Sequence, residues 1–284
     1  MIRRPAVPAG RRPVRLPFRV ELARQLSQRR VRIALGVLAA LPVIVRVALL
    51  VGGPPSEDAG ATTDLTALAQ ASGGTFAAFV LVLTGGFLAT LVAALLFGDL
   101  IAGEASRSTL KYLLTVPVPR LRLLAVKAQV AAVLLLAGLL ALTLVSLLVG
   151  VLSYGADGIQ VPGGPRLGLG ESVLRLLATT GAAAAGLLWA AALGTLLTVV
   201  SDSPLAAAGG VVLGSILSRI LDQIPALGHL RVVLPTHWSG AYRAFLQAPV
   251  DLAPVASSLL SGLIWAIVLG TLAAWRFTRK DVSG

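Results

Sequence analysis

The segment Asp99–Lys127 concentrates the side chains able to act on a partner. It reads DLIAGEASRSTLKYLLTVPVPRLRLLAVK. Asp99 and Glu104 come first, followed by the cations Arg107, Lys111, Arg120, Arg122 and Lys127. Leu110, Leu113 and Leu114 stand at i, i+3 and i+4, so on a helix they form one short apolar stripe. Arg107 and Lys111 lie off that stripe, and Pro117 and Pro119 end the helix. Such a ridge suits docking into a partner's cleft, not bond-making. Asp99 and Glu104 are not a catalytic pair, because no nucleophile or second acid–base group surrounds them. No phosphate loop is present either: none of Lys111, Lys127 and Lys280 follows a glycine, so ATP phosphates have no such cradle here. With no Cys, one Met and only His229 and His237, a metal site lacks ligands. Catalytic, cofactor and metal residues are therefore expected to be absent.

The elements that must position this segment are membrane spans. The 284 residues are 56% hydrophobic and 13% charged, about half the charge of a soluble domain. That excludes an ordinary soluble protein and a disordered one. A span needs about 20 apolar residues. Six segments meet or approach this: Ile33–Gly52, Phe76–Phe97, Ala128–Ala156, Leu176–Ser201, Ser203–Leu221 and Leu252–Trp275. The expected class is an all-α integral membrane protein with six spans.

The net charge of +12 follows from topology and does not call for nucleic acid. Ten arginines lie in residues 1–32, none lies between Gly53 and Thr75, and the tail carries Arg276, Arg279 and Lys280. The positive-inside rule then places both termini in the cytoplasm. Ala59-Gly60-Ala61 loosely resembles a signal cleavage site, but the basic region before the first apolar run is too long for a signal peptide. Basic residues are nearly all arginine, a usage common in GC-rich bacterial genomes. The expected location is therefore a bacterial inner membrane. Two regions are expected: a basic tail with an elbow helix over 1–32, and a six-span domain over 33–284. Within Pro17–Arg32 a helix would place Leu22, Ala23 and Leu26 on one face. Glu21, Arg24, Gln25, Gln28 and Arg32 would lie opposite, an interfacial arrangement.

With Glu104, Ser108-Thr109-Leu110, Leu113-Leu114, Pro117-Val118-Pro119-Arg120 and Lys127 on the page, the chain resembles the ABC-2 type permeases, membrane subunits of ATP-binding-cassette transporters. Ser108 stands where glycine is common, and Pro119 where serine is common. The Ser201-Asp202-Ser203-Pro204 turn before the fifth span also fits. The resemblance implies that the segment between spans two and three is a coupling helix. Glu104, Arg107, Leu110, Leu113, Leu114 and Arg120 would contact a separate ATPase, expected in two copies, which would bind ATP and Mg. A second permease, identical or homologous, and membrane lipid complete the expected partners. The expected function is export of a hydrophobic or amphipathic compound (drug, lipid or peptide), with no enzymatic activity in this chain alone. A flippase for a lipid-linked glycan and a non-transporting assembly or regulatory protein are the alternatives. A secondary transporter is disfavoured, since the spans contain almost no acids.

Other features carry two readings each. Arg46 in span one either meets an anionic substrate head group, or snorkels to the interface or pairs with Asp222. Pro235-Thr236 starts a plausible outer helix that would align Trp238, Ala241, Tyr242 and Phe245, as an outer gate or as a cap on the bundle. Gly210 and Gly214 form a GxxxG pattern in span five, for subunit contact or for packing within the chain. Tyr154–Glu171 is Gly- and Pro-rich and is expected to be irregular.

Overall fold

A computed structural model of the chain describes residues 18–52, 68–106, 119–161 and 164–279. Among them the architecture is helical, with one isolated antiparallel bridge between Gln160 and Arg166. The helices are α1 (Phe18–Ser27), α2 (Arg29–Val51), α3 (Gly73–Gly85), α4 (Phe87–Gly98), α5 (Ala102–Ser106), α6 (Arg120–Tyr154), α7 (Leu169–Gly186), α8 (Leu188–Val200), α9 (Pro204–Asp222) and α10 (Ala253–Arg279). Two 3-10 segments, Pro225–Val233 and Ala241–Leu246, lie between α9 and α10.

Among the described residues, five helical stretches are long and apolar enough to cross a membrane: α2, α6, the α7–α8 run, α9 and α10. The second expected span, Phe76–Phe97, is not one continuous helix. It is the pair α3 and α4, bent by 57°. The break falls at Gly86, whose φ of −78° and ψ of −88° leave the helical basin. A break within a membrane frees backbone groups that need new partners. The Gly86 carbonyl finds two, accepting from the Thr90 hydroxyl at 3.0 Å and the Arg219 guanidinium at 3.2 Å.

Glycines let α3 lie directly on the end of α6. The Gly73 amide donates to the Gly155 carbonyl at 3.2 Å, and a Cβ on Gly73 or Gly150 would collide with the other helix's backbone. Gly98 likewise lets α4 meet α9 at Ala208. The GxxxG pattern packs within the chain: Gly210 faces Leu197 and Gly214 faces Leu193, both on α8. α9 starts as its sequence dictates, with Pro204 at the first turn and the Ser203 hydroxyl accepting from the Ala206 amide at 3.3 Å.

Three expectations need correction. The helix expected over Pro17–Arg32 is interrupted at Gln28, whose backbone is extended, so α1 and α2 are separate. Its polar side also goes into the protein and not into water: Glu21 and Gln25 are buried, while Leu26 of the apolar side stays exposed. The helix expected from Pro235 is a turn, and helical backbone resumes only at Ala241. That whole stretch folds back along the bundle. The Trp265 indole donates to the Val233 carbonyl at 3.0 Å, and Trp265 stands twelve residues into α10, about 18 Å from its start at 1.5 Å per residue. Between α6 and α7 the described residues 155–161 and 164–168 are irregular, as their composition predicts, yet tied down: the Leu167 amide donates to Ile159 O at 3.0 Å and Ile159 is buried.

Candidate functional site

The strongest constellation lies where α1, α4, α5 and α6 meet, at the end of the bundle carrying Arg29, Arg30 and Arg32. α1 supplies Glu21, Arg24 and Gln25. α5 supplies Glu104, and the first turns of α6 supply Lys127. Glu21, Gln25, Glu104 and Lys127 are all at most 5% exposed. Arg24 forks onto Glu21, with Nε to Oε2 at 3.0 Å and an Nη to Oε1 at 2.9 Å. Its other Nη bonds to Glu104. The Lys127 ammonium donates to Glu21 Oε1 and Glu104 Oε1, each at 3.3 Å. The Gln25 amide donates to Glu21 Oε1 at 3.0 Å and to the Lys127 carbonyl at 3.3 Å.

Two carboxylates and two cations therefore neutralise one another, with both carboxylates and Lys127 buried and Arg24 partly exposed. Burial alone would raise the Glu21 carboxyl. The hydrogen bonds from Arg24 and Gln25, with the charges of Lys127 and Arg24, outweigh it and hold that carboxyl below its usual range. Burial pulls Arg24 down, but the bonds and charges of Glu21 and Glu104 leave its guanidinium more firmly protonated than usual. Breaking such a network by removing one member costs about 3–5 kcal/mol, because the remaining charges stay buried.

Two further contacts brace the cluster. Arg30 of α2 pairs with Asp99 at 3.3 Å. The Thr198 hydroxyl, near the end of α8, accepts from the Ile101 and Ala102 amides at 3.0 and 2.9 Å, where the chain turns from α4 into α5.

Of the residues expected to couple to a partner, Glu104 is at the centre of this cluster. Arg107, Leu110, Leu113 and Leu114 lie outside the described residues. Arg120 opens α6 and donates to the Thr278 carbonyl at 3.4 Å, next to the end of α10. The expected pairing of Arg46 with Asp222 does not form. The Arg46 guanidinium lies over the Tyr154 ring at 4.8 Å from its centroid, and Asp222 bonds to His237. Tyr242 is buried, with its ring against Gly85 and its hydroxyl donating to the Val82 carbonyl at 3.4 Å. Trp238 stands edge-on to His237 and lines an apolar groove of about 490 Å³ against α10.

Glu21, Arg24, Gln25 and Lys127 were missed as site residues. One signal for them was available: Glu21 is the only acid in the first 56 residues, and a lone acid among arginines has a reason to be buried with cations.

Residues 27–216, about two thirds of the chain, match the family model described as an ABC-2 family transporter protein. No curated protein matches the chain. The matched stretch holds Asp99, Glu104, Lys127 and Thr198, and ends before the 3-10 segments.

Proposed function

The chain belongs to the ABC-2 family of transporter proteins, and from that premise we propose that it is the membrane permease of an ATP-driven exporter. The observation that carries the reading is the buried cluster of Glu21, Arg24, Glu104 and Lys127. It ties the base of the bent span to α1 and α6, immediately before residues 107–118 with their apolar stripe. A force applied to that stripe by an ATPase would reach three helices at once. Glu104 then acts by holding the segment in place, while Leu110, Leu113 and Leu114, with Arg107 and Arg120, face the ATPase. In this reading the basic end is cytoplasmic, two ATPase copies supply ATP and Mg chemistry, and a second permease completes the pathway in a bacterial inner membrane. The chain itself hydrolyses no ATP. The exported compound is hydrophobic or amphipathic.

The test is purification of the tagged full chain from its native membrane with its ATPase counted. A stoichiometric ATPase that is lost in L113E, while L113E still inserts in the membrane, supports the proposal. A preparation containing no ATPase refutes it and leaves a membrane assembly protein.

A further inference from the structure

The far end of α9 and the connection after it carry an excess of positive charge. Residues 219–243 hold Arg219, Arg231 and Arg243 against a single carboxylate, Asp222. The fold gathers part of this excess around one recess of about 390 Å³, where Arg219, Asp222, His237 and Ser239 meet the side chains of Ile216 and Ile220. The one carboxylate is already engaged: Asp222 Oδ1 lies 2.5 Å from His237 Nδ1. Arg231, outside the lining, donates to the Asp222 carbonyl at 3.2 Å. Arg219 itself is half-buried and donates to the Gly86 carbonyl at 3.2 Å, and among the described residues it forms no ion pair. Asp222 lines the same recess but is turned to His237, so the Arg219 guanidinium is not paired directly, and such cations on membrane-spanning helices mark ligand or ion sites.

The wall beside it is apolar. Ile216 and Ile220 stand three residues before and one after Arg219, separated by one turn, and are 42% and 56% exposed. The recess thus offers a planar, forked cation next to a strip open to hydrocarbon. A guanidinium matches the two-oxygen face of a phosphate or carboxylate, and the isoleucine strip matches an alkyl chain. We infer that this recess binds the anionic head of an amphipath, with Arg219 on the head group and Ile216 and Ile220 along the chain. The inference rests on the permease reading and narrows its substrate class.

The experiment uses the purified full chain in phosphatidylcholine nanodiscs and dodecyl phosphate as probe, by calorimetry at fixed ionic strength. Saturable binding is expected. R219Q should weaken it at least tenfold, and R219K should restore part of it. D222N removes the only negative charge of the recess and should tighten binding several-fold, a gain that misfolding cannot imitate. R166Q, in an exposed loop, is the control. Replacing part of the phosphatidylcholine by phosphatidylglycerol separates the sources: competition with the probe means that a bilayer lipid occupies the recess, and no competition means that a free amphipath does. Unchanged affinity in both R219Q and D222N overturns the inference. So does inorganic phosphate competing as well as dodecyl phosphate, because the isoleucine wall then plays no part. A change of oligomeric state in R219Q with unaltered probe binding also overturns it, since the guanidinium would then face another chain. Binding is read on this chain alone, so absence of an ATPase leaves the result interpretable.

Discussion

Replacing Lys127 by Met tests whether the buried cluster is a structural node. The ammonium sits 3.3 Å from each of two carboxylates. At an effective dielectric near 20, each attraction amounts to about 5 kcal/mol before desolvation is subtracted. Desolvation of three ions removes most of that sum. What remains after deletion is a local excess of negative charge, with Glu21 and Glu104 sharing only Arg24. The expected loss is about 3–5 kcal/mol. The double variant E104Q/K127M removes one charge of each sign and keeps the fork of Arg24 on Glu21. It should lose much less than the sum of the two single changes, with a coupling of roughly 2–3 kcal/mol in the double-mutant cycle. The assay is unfolding of the purified chain in mixed micelles by SDS titration, for wild type, both singles and the double. If K127M unfolds within about 0.5 kcal/mol of wild type, the range of an ordinary surface change, the cluster holds nothing together and the reasoning fails.

Three further outcomes follow from the geometry. A Cβ on Gly85 would meet the Tyr242 hydroxyl, so G85A should destabilise the chain, and the added Y242A change should recover part of the loss in the same titration. G73A drives a Cβ into the backbone at Val151 and Gly155, where nothing can rotate away. It should cost about 1–3 kcal/mol, whereas G209A, with open space around it, should be neutral or slightly stabilising; equal effects would refute the close approach. Because the Glu21 carboxyl is held low, its contribution is complete above the unfolded value of about 4.3 and is lost as pH falls through the lower folded value. Stability measured from pH 7 to 3 should therefore drop more steeply in wild type than in E21Q, and parallel curves would contradict the pairing.

The spans were legible because burial in lipid demands apolar length. Ala128–Ala156 carries no charge, and α6 covers nearly all of it. Two things escaped the same logic. The bend at Gly86 was hidden because Phe76–Phe97 carries no charge and reads as one span by length, although Thr84-Gly85-Gly86 marks the break; the groups that satisfy the carbonyls there, Arg219 and Tyr242, lie far away in sequence. The burial of the polar side of α1 escaped for a related reason. Hydrophobic periodicity assumes that the polar face seeks water, but Glu21 and Gln25 instead find Lys127, about a hundred residues later. Apolar patterning reports solvent preference; it does not report a partner of opposite charge. Glu104 was singled out from its motif, and the structure gives it a place that the motif alone did not: between two helices, bonded to both.

The arrangement of α4 implies a path for motion. At its base, Asp99 pairs with Arg30, and the Ile101 and Ala102 amides close on Thr198. At its other end is the bend, held by Arg219 and Thr90. Between these lie twelve residues of unbroken helix, about 18 Å at 1.5 Å per residue. On the proposed function, α4 would move as one unit, and a shift at its base would appear as a change of angle at Gly86. Thr198 is the joint to cut. T198V keeps the shape and removes the acceptor of two buried amides, each left unpaired at a cost of about 1–3 kcal/mol. If the proposed function holds, we predict that T198V still binds its ATPase, since residues 107–118 are untouched, but loses the stimulation of ATP hydrolysis by transported compound. T198S, which keeps the hydroxyl, should restore it. Measured in nanodiscs containing both subunits, full stimulation in T198V would show that motion reaches the bend by another route, with the Arg30–Asp99 pair the next joint to test.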